Sequence, residues 1–264
     1  MKPSLFLLTT LLLCALCDAN ELQLKLVPRG RPFQLTFADP REIKMALSFE
    51  GDSRINAMIG NYFSLFGLQS ASNPDNSIHV GLEGAGYFSM VEAERRFPLE
   101  TSDGLIGTYI EGRVDNWQWQ FRYTHVSAHL ADGSSDTPIP YSREHIAGRL
   151  AYFPTPDIDL YAGVYCLVNS VPVVAPLGFQ IGLNYFSPWS AVSLTPFFGA
   201  DLQWKEQSSV NPTASIELGV AMSNPRERYR SLRIFYAYLT GSDPRGQYFT
   251  RVTTTHSLGI EMQI

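Results

Sequence analysis

The chain has 264 residues, a formal net charge of −5 at pH 7, 45% hydrophobic residues and 17% charged residues. The acidic balance argues against a nucleic-acid partner, and the hydrophobic content excludes a disordered acidic chain. Beyond residue 20 no apolar run reaches the ~18 residues that a membrane-spanning helix needs, so a helical membrane protein is excluded. The many Gly, Pro, Tyr and Phe residues instead indicate short strands joined by turns.

The first 19 residues are typical of a signal peptide. Lys2 supplies a positive charge, Leu5–Leu16 form an apolar stretch, and Cys17-Asp18-Ala19 provides a cleavage site. The alternative is a lipoprotein signal in which Cys14 or Cys17 is lipidated, although Leu precedes both cysteines. Cleavage before Asn20 leaves Cys166 as the only cysteine, so no intrachain disulfide is expected.

Most of the remaining chain alternates between apolar and polar residues with a period of two. Ile43–Glu50 and Leu258–Ile264 show the pattern clearly. Such alternation predicts strands with one apolar and one polar face, and because no helical pattern separates them, an antiparallel meander. The twelve predicted strands lie near 43–50, 56–66, 77–90, 103–113, 116–128, 143–153, 157–168, 177–186, 191–205, 212–222, 230–240 and 252–264.

Two architectures fit this pattern: a soluble sandwich or barrel with its apolar face inward, and a membrane barrel with its apolar face outward. The segment lengths are close to the roughly 9–11 residues of a tilted transmembrane strand. A hydrated lumen could also accommodate the charges that lie in mid-strand, namely Glu83, Glu111, Arg113, Arg122, Arg149, Asp201, Glu217, Arg233 and Glu261. We therefore predict an all-β fold, an antiparallel transmembrane β-barrel of about 12 strands with periplasmic termini.

The predicted organisation has three parts: a signal peptide (1–19), an N-terminal periplasmic segment (20–42) and the barrel (43–264). The short turns would face the periplasm, and the longer connections 91–102, 129–142, 206–211 and 241–251 would face outward. We expect the bacterial outer membrane as the location. Outer-membrane lipids and the barrel-assembly machinery that inserts such proteins are the expected partners.

The fifth segment carries the residues that point most directly to chemistry. From Trp117 to His129 its odd positions run Trp, Trp, Phe, Tyr, His, Ser, His. The odd face is therefore apolar at first, and without a bulge His125, Ser127 and His129 continue it to the outer rim. Polar side chains are costly on a lipid-facing surface, so this patch calls for a functional reason.

The sixth segment brings a carboxylate to the same face. Its apolar positions are even, so Glu144 also points outward. Paired residue numbers that sum to 271 set Ser127 opposite Glu144, whereas a sum of 269 sets His125 opposite Glu144. In either register His125 could act as the base for Ser127, and Glu144 could orient the imidazole.

Other interpretations of this patch remain open. It could be a polar rim that meets lipid headgroups. A zinc site is disfavoured, because His125 and His129 lie roughly 13 Å apart along a strand. The loop that follows could supply backbone amides or bind a cation through Asp132 and Asp136, with Ser142 as a further candidate ligand.

Three stretches resemble a family of bacterial outer-membrane barrel proteins known as domain of unknown function 1207: Phe37–Glu42, His125–Asp132 and Tyr141–Glu144. The likeness covers most of the mature chain and implies the barrel fold and an outer-membrane location, but no activity.

A second, local resemblance concerns activity. His125-x-Ser127, followed by a loop and Ser142-Arg143, is similar to outer-membrane phospholipase A, a twelve-stranded barrel with a lipid-facing His and Ser and a nearby calcium ion. It implies His125 as base and Ser127 as nucleophile. When the Ser-Arg pairs are aligned, the phospholipase Asn falls on Ile146. Lipid A deacylases likewise pair His-x-Ser with a following Glu, which here would be Glu144. His129, on the same face of the strand, is a further candidate catalytic residue.

Two functions remain open from the sequence. The first is an outer-membrane barrel without catalytic activity: a narrow pore, or a structural or surface barrel whose lumen the charges of both signs could plug. The second is a lipid acyl-ester hydrolase that uses Ser127, His125 and Glu144, with calcium if the phospholipase likeness extends that far. Whether the protein is an enzyme is therefore undecided at this point.

Overall fold

The computed structural model describes residues 22–51, 53–189, 194–204, 212–222 and 231–263. The predicted signal peptide lies outside the described residues. The described residues form thirteen strands and one short 3₁₀ helix, Gly246–Tyr248. The strands are β1 (Leu22–Leu26), β2 (Met45–Glu50), β3 (Arg54–Ser70), β4 (Ser77–Val91), β5 (Leu99–Val114), β6 (Trp117–Leu130), β7 (Ser142–Thr155), β8 (Ile158–Val171), β9 (Leu177–Phe186), β10 (Leu194–Trp204), β11 (Thr213–Met222), β12 (Ser231–Ser242) and β13 (Val252–Gln263).

Strands β2 to β13 close into an antiparallel barrel. Each strand pairs with its neighbours in chain order, and β13 pairs with β2 to complete the ring. These twelve strands confirm the predicted fold class and the predicted segments, with ends that move by a few residues. The connections at 115–116 and 156–157 define the turn end of the barrel, and the connections at 131–141 and 243–251 define the loop end. None of the described residues forms a helix long and apolar enough to span a membrane.

The two faces of the wall have opposite polarity. On β13, Leu258, Ile260 and Met262 face outward and are 40–64% exposed, whereas Glu261 between them is buried in the lumen. The predicted mid-strand charges are buried in the same way, except Arg113, which lies partly exposed at the turn end. Strand alternation thus places apolar residues outside and polar residues inside, as a barrel in a membrane requires.

Residues 28–44, here named the plug segment, occupy the lumen. The prediction of a periplasmic segment over 20–42 is wrong for residues 31–42, because these residues are almost all buried against the inner wall. Leu35, Phe37 and Ile43 pack in a cluster with wall residues such as Tyr62 and Phe235. The preceding β1, which was not predicted, pairs with the turn end of β3.

Strand β3 explains how this segment enters the barrel. Its 17 residues are far longer than the six residues of β2, so β2 covers only its first part, Arg54–Ile59. Strand β1 covers Phe66–Ser70 at the other end. The chain passes into the lumen between these two pairings.

The connection 243–251 covers the loop end. The Gln247 side chain donates hydrogen bonds to the carbonyl oxygens of Ala128 (2.6 Å) and Ile139 (2.9 Å). The backbone N–H of Gly246 donates to Asp103 (2.9 Å), a residue of the inner wall. An added Cβ at Gly246 would come within 2.5 Å of the Ala128 side chain, so this close approach requires glycine. The plug segment thus lies across the lumen, and this connection covers part of its loop end.

Candidate functional site

The last third of β6 exposes His125, Ser127 and His129 on the outer surface. These side chains are half-buried or exposed, whereas Thr124, Val126 and Ala128 between them are buried in the lumen. Because β6 pairs with β5 and β7 without a register shift, its alternation stays regular up to the loop end. The structure therefore places the three predicted residues on one outward face.

The hairpin register decides which residue lies opposite Glu144. His125 pairs with Glu144 and Ser127 pairs with Ser142, which corresponds to the sum of 269. The His125 Nδ1 atom lies 3.6 Å from Glu144 Oε1. On the other side of the carboxylate, the Tyr123 hydroxyl donates a 3.4 Å hydrogen bond to Oε2. Glu144 thus lies between two outward side chains of β6.

Ser127 lies two residues from His125 on the same strand, which corresponds to roughly 6.6 Å along the backbone. Within the described part of the chain, no hydrogen bond joins its hydroxyl to His125. The space beside it is open, because its other neighbour in the sheet is Gly104, which has no side chain. Rotation of the imidazole could close the gap when a substrate binds, since catalytic contacts are often long in free enzymes.

Apolar side chains surround this polar patch. Ile106 is the β5 neighbour of His125 and is 66% exposed, and Ile146 on β7 is 49% exposed. Phe121 and Tyr123 continue the face toward the turn end, each with 45% of its surface exposed. Ionisable side chains in such surroundings are costly to place, which favours a functional role over chance.

The remaining predicted site residues are not brought together. His129 lies on the same face beyond Ser127, opposite Ser102, and no described carboxylate pairs with it. Asp136 accepts a 3.0 Å hydrogen bond from Arg251, and hydrogen bonds from Arg251 and Tyr248 lower the pKa of its carboxyl group. Among the described residues, no group of three or more His, Cys, Asp or Glu side chains could hold a metal ion. Asp132 and Asp136 thus belong to no such group among the described residues.

Residues 8–263 match the model of a protein family of unknown function, DUF1207. The chain belongs to this family. The family resemblance expected from the sequence is thereby confirmed. A comparison with curated proteins found no match.

Among solved structures, the chain is similar to outer membrane phospholipase A from Escherichia coli, with a TM-score of 0.57 and 10% identity over 89% of this chain and 92% of that chain. An active-site mutant of that enzyme at pH 6.1 gives a TM-score of 0.56 and 9% identity over the same shares of both chains. OmpT of Vibrio cholerae has a TM-score of 0.34 and 10% identity over 83% of this chain and 94% of that chain. The likeness to the phospholipase shows a shared barrel fold.

Sequence reasoning missed a second set of residues, the charged side chains of the plug segment. Arg31 binds Glu111 through both carboxylate oxygens (3.0 and 2.5 Å), and Arg41 binds Asp103 (2.7 Å). Further pairs are Lys44 with Glu217 and Glu261, and Glu42 with Arg149. The buried strand residues supply seven carboxylates, Glu83, Asp103, Glu111, Asp159, Asp201, Glu217 and Glu261, but only four guanidinium groups, Arg122, Arg143, Arg149 and Arg233. The sequence carried little signal of this excess, because the predicted mid-strand charges are five carboxylates and four guanidinium groups.

Proposed function

We propose that this protein resides in the bacterial outer membrane with its loop end outward, and that it hydrolyses acyl esters of membrane lipids at the outer leaflet. One observation carries the proposal: the register places Glu144 opposite His125, with Ser127 on the same outward face. A nucleophile, a base and an orienting carboxylate therefore share a surface that lipids would contact directly.

The proposed reaction follows from the positions of these groups. His125 takes the proton of the Ser127 hydroxyl while the serine oxygen attacks the ester carbonyl carbon. The imidazolium then gives the proton to the departing alcohol oxygen, which leaves an acyl-serine. Water attacks this ester with His125 again as base, and the fatty acid and the free serine are released. Glu144 accepts a hydrogen bond from Nδ1–H, which holds the imidazole with Nε2 toward the serine and stabilises its cation.

The lumen of this state supports an active surface over an open pore, because the plug segment lies across the space that a solute would need. A structural barrel without enzymatic activity is the second candidate, because the buried charge pairs are a sufficient reason for the polar lumen. The two candidates differ in whether the Ser127 hydroxyl is needed.

The test is fatty-acid release from phospholipid and from lipopolysaccharide by the refolded protein, with calcium and with a chelator. Ser127→Ala is compared with Thr254→Ala, a matched control. Thr254 also faces outward two residues from a histidine, His256, but Thr254 pairs with Thr240, and His256 pairs with Tyr238 on β12 rather than with a carboxylate. We expect release to fall at least about 100-fold in Ser127→Ala and to stay within about twofold in Thr254→Ala. Equal rates in both variants, or no release by folded protein, would contradict the hydrolase and favour the structural barrel without enzymatic activity.

A further inference from the structure

We propose that the plug segment is a displaceable gate, and that the barrel conducts cations when this segment leaves the lumen. This inference does not depend on the hydrolase. It follows from where the ends of the segment are attached, from the cavities beside it and from the charges that it covers.

Both ends of the plug segment are attached to the same strand. At its start, the backbone N–H of Val27 donates a 3.0 Å hydrogen bond to the Leu65 carbonyl oxygen of β3. At its end, Met45 pairs with Ile59, also on β3. These two points are six residues apart, which corresponds to roughly 20 Å along a strand. The segment is therefore a loop that enters and leaves through one gap, so it can move out without breaking any pairing of the barrel wall.

The gap itself is an opening in the sheet. Between the two attachment points, residues 60–64 of β3 pair with β4 on one side but with no named strand on the other. The backbone N–H of Tyr62 donates instead to the Asn61 side chain (2.8 Å). A cavity of about 240 Å³ lies at this opening, lined by Pro28, Arg31 and Lys44 of the plug segment together with wall residues. Two of the cations that hold the segment, Arg31 and Lys44, therefore border a space that can hold water.

Empty space also lies on the other side of the segment. A cavity of about 180 Å³ extends toward the loop end and is lined by Phe37, Arg41 and Lys44, with Asp103 and Arg245 from the wall and the connection 243–251. Lys44 lines both this cavity and the one at the gap. A single stretch of chain thus separates two spaces that can hold water, and its displacement would join them.

The charge of the wall sets the expected selectivity. The plug segment brings Arg31, Arg41 and Lys44 into contact with wall carboxylates. When it leaves, the seven buried wall carboxylates face only four buried guanidinium groups. A narrow, low-dielectric passage with this net negative charge concentrates cations and repels anions.

The first test is single-channel recording of residues 20–264 in planar bilayers, in which Arg31→Gln/Arg41→Gln weakens the hold on the segment. The control is Lys25→Gln/Arg95→Gln, which removes the same charge from exposed residues outside the plug segment. We expect the first variant to raise the open probability at least tenfold over the wild type, with cations preferred, and the control to match the wild type. The absence of current through the folded Arg31→Gln/Arg41→Gln variant, or a preference for anions, would overturn the proposal.

A disulfide provides the complementary test. A Cβ built on Gly199 of β10 would lie 3.4 Å from the Ala38 Cβ, close to the roughly 3.5–4.5 Å of a disulfide. Ala38→Cys/Gly199→Cys, added to the weakened variant with Cys166→Ser, should close the channel when oxidised and reopen it when reduced. Current that persists through the oxidised protein would show that the segment is not the gate.

A thiol-labelling measurement keeps the proposal testable even where currents are small. Ala38 is buried, so Ala38→Cys alone should react slowly with a water-soluble maleimide. We expect the weakened variant to label at least tenfold faster. Equal labelling rates in folded protein, shown by heat-shifted gel mobility, would contradict a displaceable segment.

Discussion

The Nδ1 atom of His125 lies 3.6 Å from Oε1 of Glu144, and the two residues occupy directly opposite positions of β6 and β7 on the outward face. The separation exceeds the ~2.7–3.2 Å of a hydrogen bond, so a small rotation of either side chain completes the contact. A register shift between β7 and β8 falls directly after Glu144. Such irregularities often adjust the direction of a side chain beside an active site.

Substitution of Glu144 tests its role as the orienting group. Glu144→Ala should lower kcat for ester hydrolysis about 100-fold with little change in KM, because the imidazolium loses its acceptor. Glu144→Gln should retain more activity than Glu144→Ala, since its amide oxygen can still accept a hydrogen bond from Nδ1–H. Steady-state kinetics on a detergent-dispersed ester gives both values, and an unchanged kcat in Glu144→Ala would remove this residue from the mechanism.

The hydroxyl of Tyr123 should matter less than Glu144. Its hydrogen bond to Oε2 is 3.4 Å long, so Tyr123→Phe should reduce kcat by only about two- to fivefold. Tyr236→Phe is the matched control, because Tyr236 also faces outward and its hydroxyl lies 2.6 Å from a histidine nitrogen, that of His256. A loss in Tyr123→Phe as large as that in Glu144→Ala would mean that Tyr123 has a direct catalytic role.

The buried pair of Arg31 and Glu111 should dominate the stability of the plug. Arg31→Met leaves a carboxylate that is fully buried, with Gln120 as its remaining partner (2.8 Å), and should lower the free energy of unfolding by about 3–5 kcal/mol. A double-mutant cycle with Glu111→Leu should give a coupling of about 1–3 kcal/mol in urea titrations. Additive effects of the two substitutions would contradict a direct interaction.

The turn from β1 into the lumen carries local strain at Val27. Its φ of 48° lies in the left-handed region, which a β-branched residue rarely adopts, and its side chain is 74% exposed. Val27→Gly should therefore leave the stability equal or raise it by up to about 1 kcal/mol. Leu24→Gly on the neighbouring β1 is the comparison and should not stabilise the protein.

The alternation of side chains was sufficient to predict the barrel, because burial in a barrel wall depends on position parity alone. All twelve wall strands followed from it, as did the outward faces of Ser127 and Glu144. The register of β6 and β7 did not follow from alternation. Pairings whose residue numbers sum to 269 and to 271 both keep the outward faces of the two strands together. Contacts from elsewhere also hold the connection between these strands, such as the N–H of Gly133 to the Leu99 carbonyl oxygen and the Tyr248 hydroxyl to Ser134.

The plug segment could not be located from its own residues. It has no regular alternation, and its partners lie far away in the chain: Glu111 is 80 residues from Arg31, and Asn184 is 147 residues from Phe37. The predicted mid-strand charges, five carboxylates and four guanidinium groups, were too nearly balanced to indicate that cations were missing. A pattern within one strand cannot reveal such long-range partners.

Whether Ser127 is an activated nucleophile is tested most directly by labelling the refolded protein with an alkyl fluorophosphonate, followed by peptide mass spectrometry. Such reagents modify serine hydroxyls that a neighbouring base activates. We expect one adduct per chain on Ser127, absent from Ser127→Ala and formed at least about tenfold more slowly in Glu144→Ala. Folded protein in which Ser127 stays unmodified, or in which Glu144→Ala labels at the wild-type rate, would contradict it.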